Sequence, residues 1–445
     1  MTDPLTVLCF SAVRLGGRIL DCLHVETTKG RAMSLILAAE SLAEIITGIT
    51  ECEPCSIAIA AVIHVALIGA FFGLPAGIFI WAERKVSARI QDRLGPTRVG
   101  GRFGWLQAVA DGAKLVQKED LAPKAADKPL FRIAPYVVVI ASFAAFMFLP
   151  FTDGWSAVSL DVGLFALFAM LSLEVIGVIL AGYASGSKWA LFGGMREAAQ
   201  MVSYEIPMSI CALIPIVMAG TLNLNEVIHY QSAGWDTGFP PFFHWNVFHP
   251  VAGPAFIVYF VCATASCKRA PFDLAEAESE LDAGFLTEYS GMRWSFFFLA
   301  EYASMFLVSA VAAILFLGGW DDGFGIVRSL KGTSTNVLDP SVILGNVIGA
   351  GVLMLKASKL VLIQIWVRWT LPRLRIDQVM TTCLKYLLPM ACALFLAAVV
   401  YPMALIVLTG RPQVLPLSAP LTEAAVLTTD EPKVEVAAAD AEVSE

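Results

Sequence analysis

Ser295-Phe-Phe-Phe-Leu-Ala-Glu301-Tyr-Ala-Ser-Met-Phe-Leu-Val-Ser-Ala-Val-Ala-Ala-Ile-Leu-Phe-Leu-Gly318 is a run of 24 residues with one charge. About 20 apolar residues in a helix cross a hydrocarbon core roughly 30 Å thick. Seven further stretches read the same way, so the expected spans are 57–82, 131–150, 160–183, 198–220, 250–267, 295–318, 341–369 and 384–409. Lipid offers no partner to an open backbone group, and no strand-barrel alternation is visible, so each span is expected to be a helix. The fold class is all-α: a polytopic membrane protein of about eight transmembrane helices.

Composition agrees. The chain has 445 residues, 57% hydrophobic and 15% charged, against about a quarter charged in soluble domains. Its mean hydropathy is +0.71. A soluble enzyme, a secreted disulfide scaffold and a nucleic-acid binder are excluded. The net charge of −8 says less than its distribution. Loop 83–132 holds eleven basic residues, and Lys188, Arg196, Lys268, Arg269, Arg293, Arg368, Arg373, Arg375 and Lys385 bring that side to twenty. The inter-span loops opposite hold two, Arg328 and Lys331. The positive-inside rule puts the basic loops in the cytoplasm and both termini outside. Arg14, Arg18, Lys29 and Arg31, ahead of the first span, run against this order.

Three regions follow. Residues 1–56 form an extension whose Ser34–Thr47 run, with Glu40 and Glu44, reads as an amphipathic surface helix and not as a signal peptide. Residues 57–410 form the membrane domain. Residues 411–445, rich in Pro, Ala, Val, Glu and Asp, read as a disordered acidic tail. Of nine cysteines only Cys52 and Cys55 form a CxxC, with no second pair at zinc or cluster spacing. Five scattered histidines offer no metal motif, and Gly-rich phosphate loops are absent. No metal site is expected, and no redox or nucleotide cofactor is expected on this chain.

Three constellations carry the chemistry. Charged groups inside spans cost about 2.5–3.5 kcal/mol each on insertion scales, so they are functional candidates. Here they are Glu174, Glu205 and Glu301, with Lys356 and Lys359 on neighbouring faces of the seventh span. Structural ion pairing or snorkelling is the plainer alternative for any one of them. The second is an acidic loop with Asp273, Glu276, Glu278, Glu280, Asp282 and Glu288 in sixteen residues. If it is helical beyond Leu274, Glu276 and Glu280 share a face. Acids so crowded and partly buried raise one another's proton affinity and can hold and pass protons; a solvated acidic loop is the alternative. The third runs from Glu83 to Lys118. Gly95-Pro96 and Gly100-Gly101 mark turns, and Trp105, Leu106, Val109, Leu115 and Val116 suggest a short amphipathic surface helix with Asp111 and Lys114 on its polar side. Six basic residues from Arg84 to Arg102 suit a docking surface for an acidic partner or a lipid headgroup, beyond simple membrane anchoring.

At these segments the chain resembles the H subunit of proton-pumping NADH-quinone oxidoreductase, respiratory complex I. The resemblance rests on Glu83-Arg-Lys through Arg93-Leu-Gly-Pro, Ala110-Asp-Gly-Ala-Lys, Lys118-Glu-Asp, Ser185-Gly-Ser-Lys188, Ala199-Gln-Met-Val-Ser-Tyr-Glu205, Arg269-Ala-Pro-Phe-Asp through Glu280-Leu, Thr287-Glu-Tyr-Ser-Gly-Met, Ala300-Glu-Tyr-Ala, and Arg368-Trp-Thr-Leu-Pro-Arg-Leu-Arg-Ile-Asp-Gln. It implies a membrane component that joins the pumping arm to the peripheral arm and helps form the quinone cavity. Quinone is then the substrate, while FMN and iron–sulfur clusters sit in partner subunits. The implied partners are the peripheral iron–sulfur and quinone-site subunits, and the antiporter-like and small membrane-arm subunits.

By position, the resemblance assigns Arg84, Gln91, Arg93, Asp111 and Lys114 to the cavity and its opening. Arg196 and Glu205 match the fourth-span motif. Arg269, Asp273, Glu278, Glu280, Glu288 and Glu301 match an acidic funnel. Arg368, Arg373, Arg375 and Asp377 match the loop after the seventh span. Some positions depart from the family pattern. Ser266, Cys267 and Lys268 stand where Glu-Thr-Asn is common, Leu286 replaces a frequent His, and Glu174 and Glu197 are acidic where many relatives are small. These look like relocated charge. Two other readings stay open on the sequence: the membrane anchor of a proton-pumping hydrogenase, and a stand-alone ion transporter, although no repeated halves are visible.

Overall fold

The computed structural model describes residues 53–152, 156–158, 160–232, 244–275, 278–331 and 340–409. The expected surface helix at 34–47, Cys52, Glu276 and the tail from 411 lie outside these residues, as do the side chains of Cys55 and Glu278. All eight expected spans fall on helices: α1 Glu53–Ile90, α3 Lys128–Ala145, α4 Gly163–Ala184, α5 Lys188–Ala219, α7 Ala252–Ser266, α9 Gly291–Phe316, α11 Pro340–Thr370 and α13 Leu388–Thr409. Between them lie α2 Gln107–Gln117, α6 Leu224–Ser232, α8 Glu278–Leu281, α10 Ile326–Lys331 and α12 Ile376–Thr381. A π-turn, Thr382–Leu387, joins α12 to α13. By length and composition, six of the described helical stretches can cross a membrane, and the 15-residue α7 is a shorter apolar one.

The chain alternates between two ends. At one end the Asp127 N–H donates to the Ala184 carbonyl, and Leu374 N–H donates to the Pro271 carbonyl. Gly291 also sits against the Lys118 carbonyl there. The loops that hold most of the basic residues therefore meet at a single end of the bundle. At the other, Gln231 and Asn246 donate to the carbonyls of Ile314 and Leu315, which would otherwise be orphaned at the α9 C-terminus.

The run that opens the sequence reading is the hub. Every residue of α9 from Ala300 to Phe316 is buried, with α1, α3, α7 and α11 packed around it. Small residues let the helices close in: a Cβ added at Gly177 of α4 would lie 2.5 Å from Val138 of α3.

Two helices overrun their expected spans. α1 continues past 82 to Ile90, giving 38 residues or about 57 Å of helix, because no breaker intervenes before Gly95-Pro96. α5 begins ten residues early, at Lys188, where Ser187 is still extended. These overruns place Glu83 and Glu197 on rigid helix, not loop. The expected short amphipathic helix is present as α2, beginning after Trp105 and Leu106, with Val109 and Val116 exposed on it and Trp105 exposed just before it.

Candidate functional site

The departures and the family motifs meet at the junction of α7 with its following loop. Two adjacent basic residues there, Lys268 and Arg269, both turn inward, and both are buried. Lys268 has φ +55, an uncommon backbone state for a residue with a Cβ, and the Ala270–Pro271 peptide that follows is cis.

Arg269 joins three helices. Its Nε lies 2.9 Å from Glu301 Oε1 on α9, and its Nη1 lies 3.3 Å from Glu83 Oε2 on α1. Its guanidinium also sits 4.3 Å from the centre of the Tyr302 ring. Glu83 accepts further hydrogen bonds from the Tyr302 hydroxyl and from Arg368 at the end of α11. Burial works against the Arg269 charge, but Glu301, Tyr302 and Glu83 outweigh it and hold the guanidinium protonated well above its ordinary range. The result is a row Arg368–Glu83–Arg269–Glu301 with alternating signs.

Lys268 serves the other side. Its ammonium is 3.4 Å from Glu174 on α4 and 3.3 Å from Glu197 on α5. Glu174 Oε2 accepts from Ser304 at 2.7 Å and from Ser142 at 3.1 Å. Ser304 lies three residues beyond Glu301 on α9, so the two groups abut. Glu174 also lines a cavity of about 600 Å³ between α4, α5, α7 and α9. Glu205, Ser266 and Cys267 line the same cavity, whose remaining wall is mainly apolar.

A third, more exposed group ties the loops together. Glu280 Oε2 accepts from Arg196 at 2.6 Å, and Oε1 accepts from Arg373 at 2.9 Å. The Arg196 hydrogen bond, joined by the two positive charges, holds the Glu280 carboxyl below its ordinary range. On the α1–α2 side, Asp111 accepts from Arg84 and, at 3.2 Å, from Gln107, with Lys114 3.9 Å away. Arg93 donates to Gln91 at 2.7 Å.

Lys356, Lys359, Arg375, Asp377 and Glu288 stand apart from the row. Lys356 donates to the carbonyls of Leu317, Gly319 and Asp321 and lies over the Trp245 ring, at the opposite end from the basic loops. It caps the C-terminus of α9 there. Lys359, Arg375 and Asp377 are exposed, and Asp273 and Glu288 are partly buried.

Glu83, Tyr302, Ser304, Lys268 and Glu197 have no place among the candidates read from sequence. Glu83 sits at a helix–loop boundary that apolarity alone draws too early. Lys268 and Glu197 are visible only as departures from pattern, and nothing in their spacing shows that they converge.

Fold and site together define a multi-pass membrane protein that keeps ion pairs in its apolar interior. A family model described as NADH dehydrogenase matches residues 62–399. The chain is 46% identical over 348 residues to a Chlorobium luteolum protein, covering 78% of this chain and 90% of that one. It is 44% identical over 349 residues to a Chlorobaculum tepidum protein (78% and 93%) and 41% identical over 363 residues to one from Anaeromyxobacter dehalogenans (80% and 85%). All three are named as the H subunit of NADH-quinone oxidoreductase. The chain belongs to this NADH dehydrogenase family and is a subunit of an oxidoreductase complex.

Proposed function

We propose that this chain is the membrane subunit of a proton-translocating NADH:quinone oxidoreductase, and that it forms part of the quinone cavity and couples quinone reduction to proton movement. The observation that carries this reading is a succession of charged side chains, most of them buried. It runs from Arg368 and Glu83 through Arg269 to Glu301, and on through the neighbouring Lys268 to Glu174, which opens on the cavity shared with Glu205.

In such a line each group sets the proton affinity of the next, because an added charge is poorly screened in low dielectric. Reduction of a quinone takes up protons and changes the local charge. Where this happens beside Glu83, the change biases Arg269 and Glu301, and through them the acids at the cavity. Arg84 and Asp111 bind α1 to the exposed amphipathic α2, where Lys114 lies beside Asp111. That pairing suits the opening through which a lipid-borne quinone enters from the bilayer. Electrons reach the quinone from NADH through FMN and iron–sulfur clusters in partner subunits, which dock on the basic loops. Those loops face the cytoplasm.

Photo-crosslinking tests the quinone part. In the assembled enzyme an azido-quinone is expected to label the segment from Arg84 to Lys114, and excess quinone is expected to suppress the labelling. Labelling confined to other subunits would remove this chain from the cavity.

A further inference from the structure

The buried charges can be counted in two groups. Around Arg269 they balance, with Arg269 and Arg368 facing Glu83 and Glu301. Around Lys268 they do not, since one ammonium stands between the two carboxyl groups of Glu174 and Glu197. All three of these side chains are at most 5% exposed. A buried carboxylate without its own counter-charge takes up a proton in preference to remaining ionised.

The two acids are not equivalent. Glu174 accepts hydrogen bonds from Ser142 and Ser304 in addition to its ion pair with Lys268. Glu197 is fully buried, and among the described residues neither of its carboxyl oxygens has a hydrogen-bond partner beyond the Lys268 ion pair. The extra proton belongs on Glu197. The surroundings are defined from every side: Lys268 and Asp273 act on Glu197 from the loop after α7, and Glu174 acts from α4. Ser142 on α3 and Ser304 on α9 face Glu174, Phe285 lies against Lys268, and Glu205 on α5 lines the cavity with Glu174.

We propose that Glu197, Lys268 and Glu174 form a proton relay that stores one proton on Glu197 and delivers it to the cavity through Glu174. The ammonium of Lys268 gives one N–H proton to the Glu174 carboxylate, forming its O–H bond. The amine left behind takes the O–H proton of Glu197 and becomes ammonium again. One proton has then moved from Glu197 to Glu174, no electron has moved, and the Lys268 charge is restored. Lys268 is the centre of the relay because its nitrogen reaches both acids. The left-handed turn at its backbone aims it at this pair while Arg269 turns to the other group. The relay rests on the coupling reading above and adds to it a proton store that does not touch quinone.

The test uses the assembled enzyme in sealed vesicles, given NADH and quinone, with protons moved per NADH oxidised measured across pH. Glu197→Gln is expected to lower that ratio at least twofold and to abolish a protonated-carboxyl band that changes with turnover in infrared difference spectra. A native ratio, pH profile and band in Glu197→Gln would overturn the relay. Glu205→Gln, measured alongside, separates the two readings. If it loses pumping while Glu197→Gln does not, only the relay falls; if both pump normally, the coupling reading falls as well. Should Glu197→Gln fail to assemble, the unsubstituted enzyme with isotope-labelled glutamate decides: a protonated-carboxyl band at neutral pH supports the stored proton, and its absence overturns it.

Discussion

Arg269 shows why one residue can hold a membrane bundle in a single arrangement. Its guanidinium satisfies carboxylates on two helices and stacks on a tyrosine, with planar, fork-like donors that lysine lacks. Removing one partner of a buried ion pair leaves the other charge stranded, at a cost of about 3–5 kcal/mol. Arg269→Met is therefore expected to destabilise the subunit by about that amount, because Glu83 and Glu301 lose their shared counter-charge. Arg373→Ala removes one of the two arginines that pair with the more exposed Glu280, and exposed pairs contribute about 0.2–1 kcal/mol. Thermal unfolding of the two variants in detergent should rank them in that order. Equal losses would mean that the buried row is not what holds α1, α7 and α9 together.

Among the elements, the Glu280 bridge links α5, α8 and the 371–375 loop at the basic end. A carboxyl held below its ordinary range by Arg196 contributes stability above that range. The contribution is lost only as pH falls through the depressed value. Protection of the amides in 278–281 and 371–375 against hydrogen exchange, taken relative to the intrinsic rate at each pH, should therefore hold through neutral pH and fall only below the range where free glutamate protonates. A loss of protection starting near neutral pH would contradict the bridge.

The helices were legible at this scale because apolar runs cannot form anything else in lipid, and α2 was legible from its turn signals and apolar spacing. The ends of α1 and α5 were not. Apolarity stops where lipid stops, whereas a helix stops where a breaker stands, and that interval holds both Glu83 and Glu197.

Across the whole molecule, the sequence showed which acids were out of place but not how they pair. Glu174 and Glu197 were visible as unusual, as was Lys268, but their meeting depends on three elements and a turn of positive φ. Residues far apart in sequence, such as Glu83 and Arg368, carry no local sign of contact. The resemblance named Arg269 and Glu301 as site residues, and the structure pairs them. The structure also sets Lys356 apart from the acids, where its reach to backbone carbonyls serves packing at the opposite end.

The central claim is that charge at the Glu83 end is felt by the acids at the cavity, where Glu205 shares the wall with Glu174. The deciding measurement is the number of protons moved per NADH oxidised by the assembled Glu205→Gln enzyme in sealed vesicles. The account predicts a ratio lowered at least twofold while quinone is still being reduced; a ratio equal to that of the unsubstituted enzyme would contradict it.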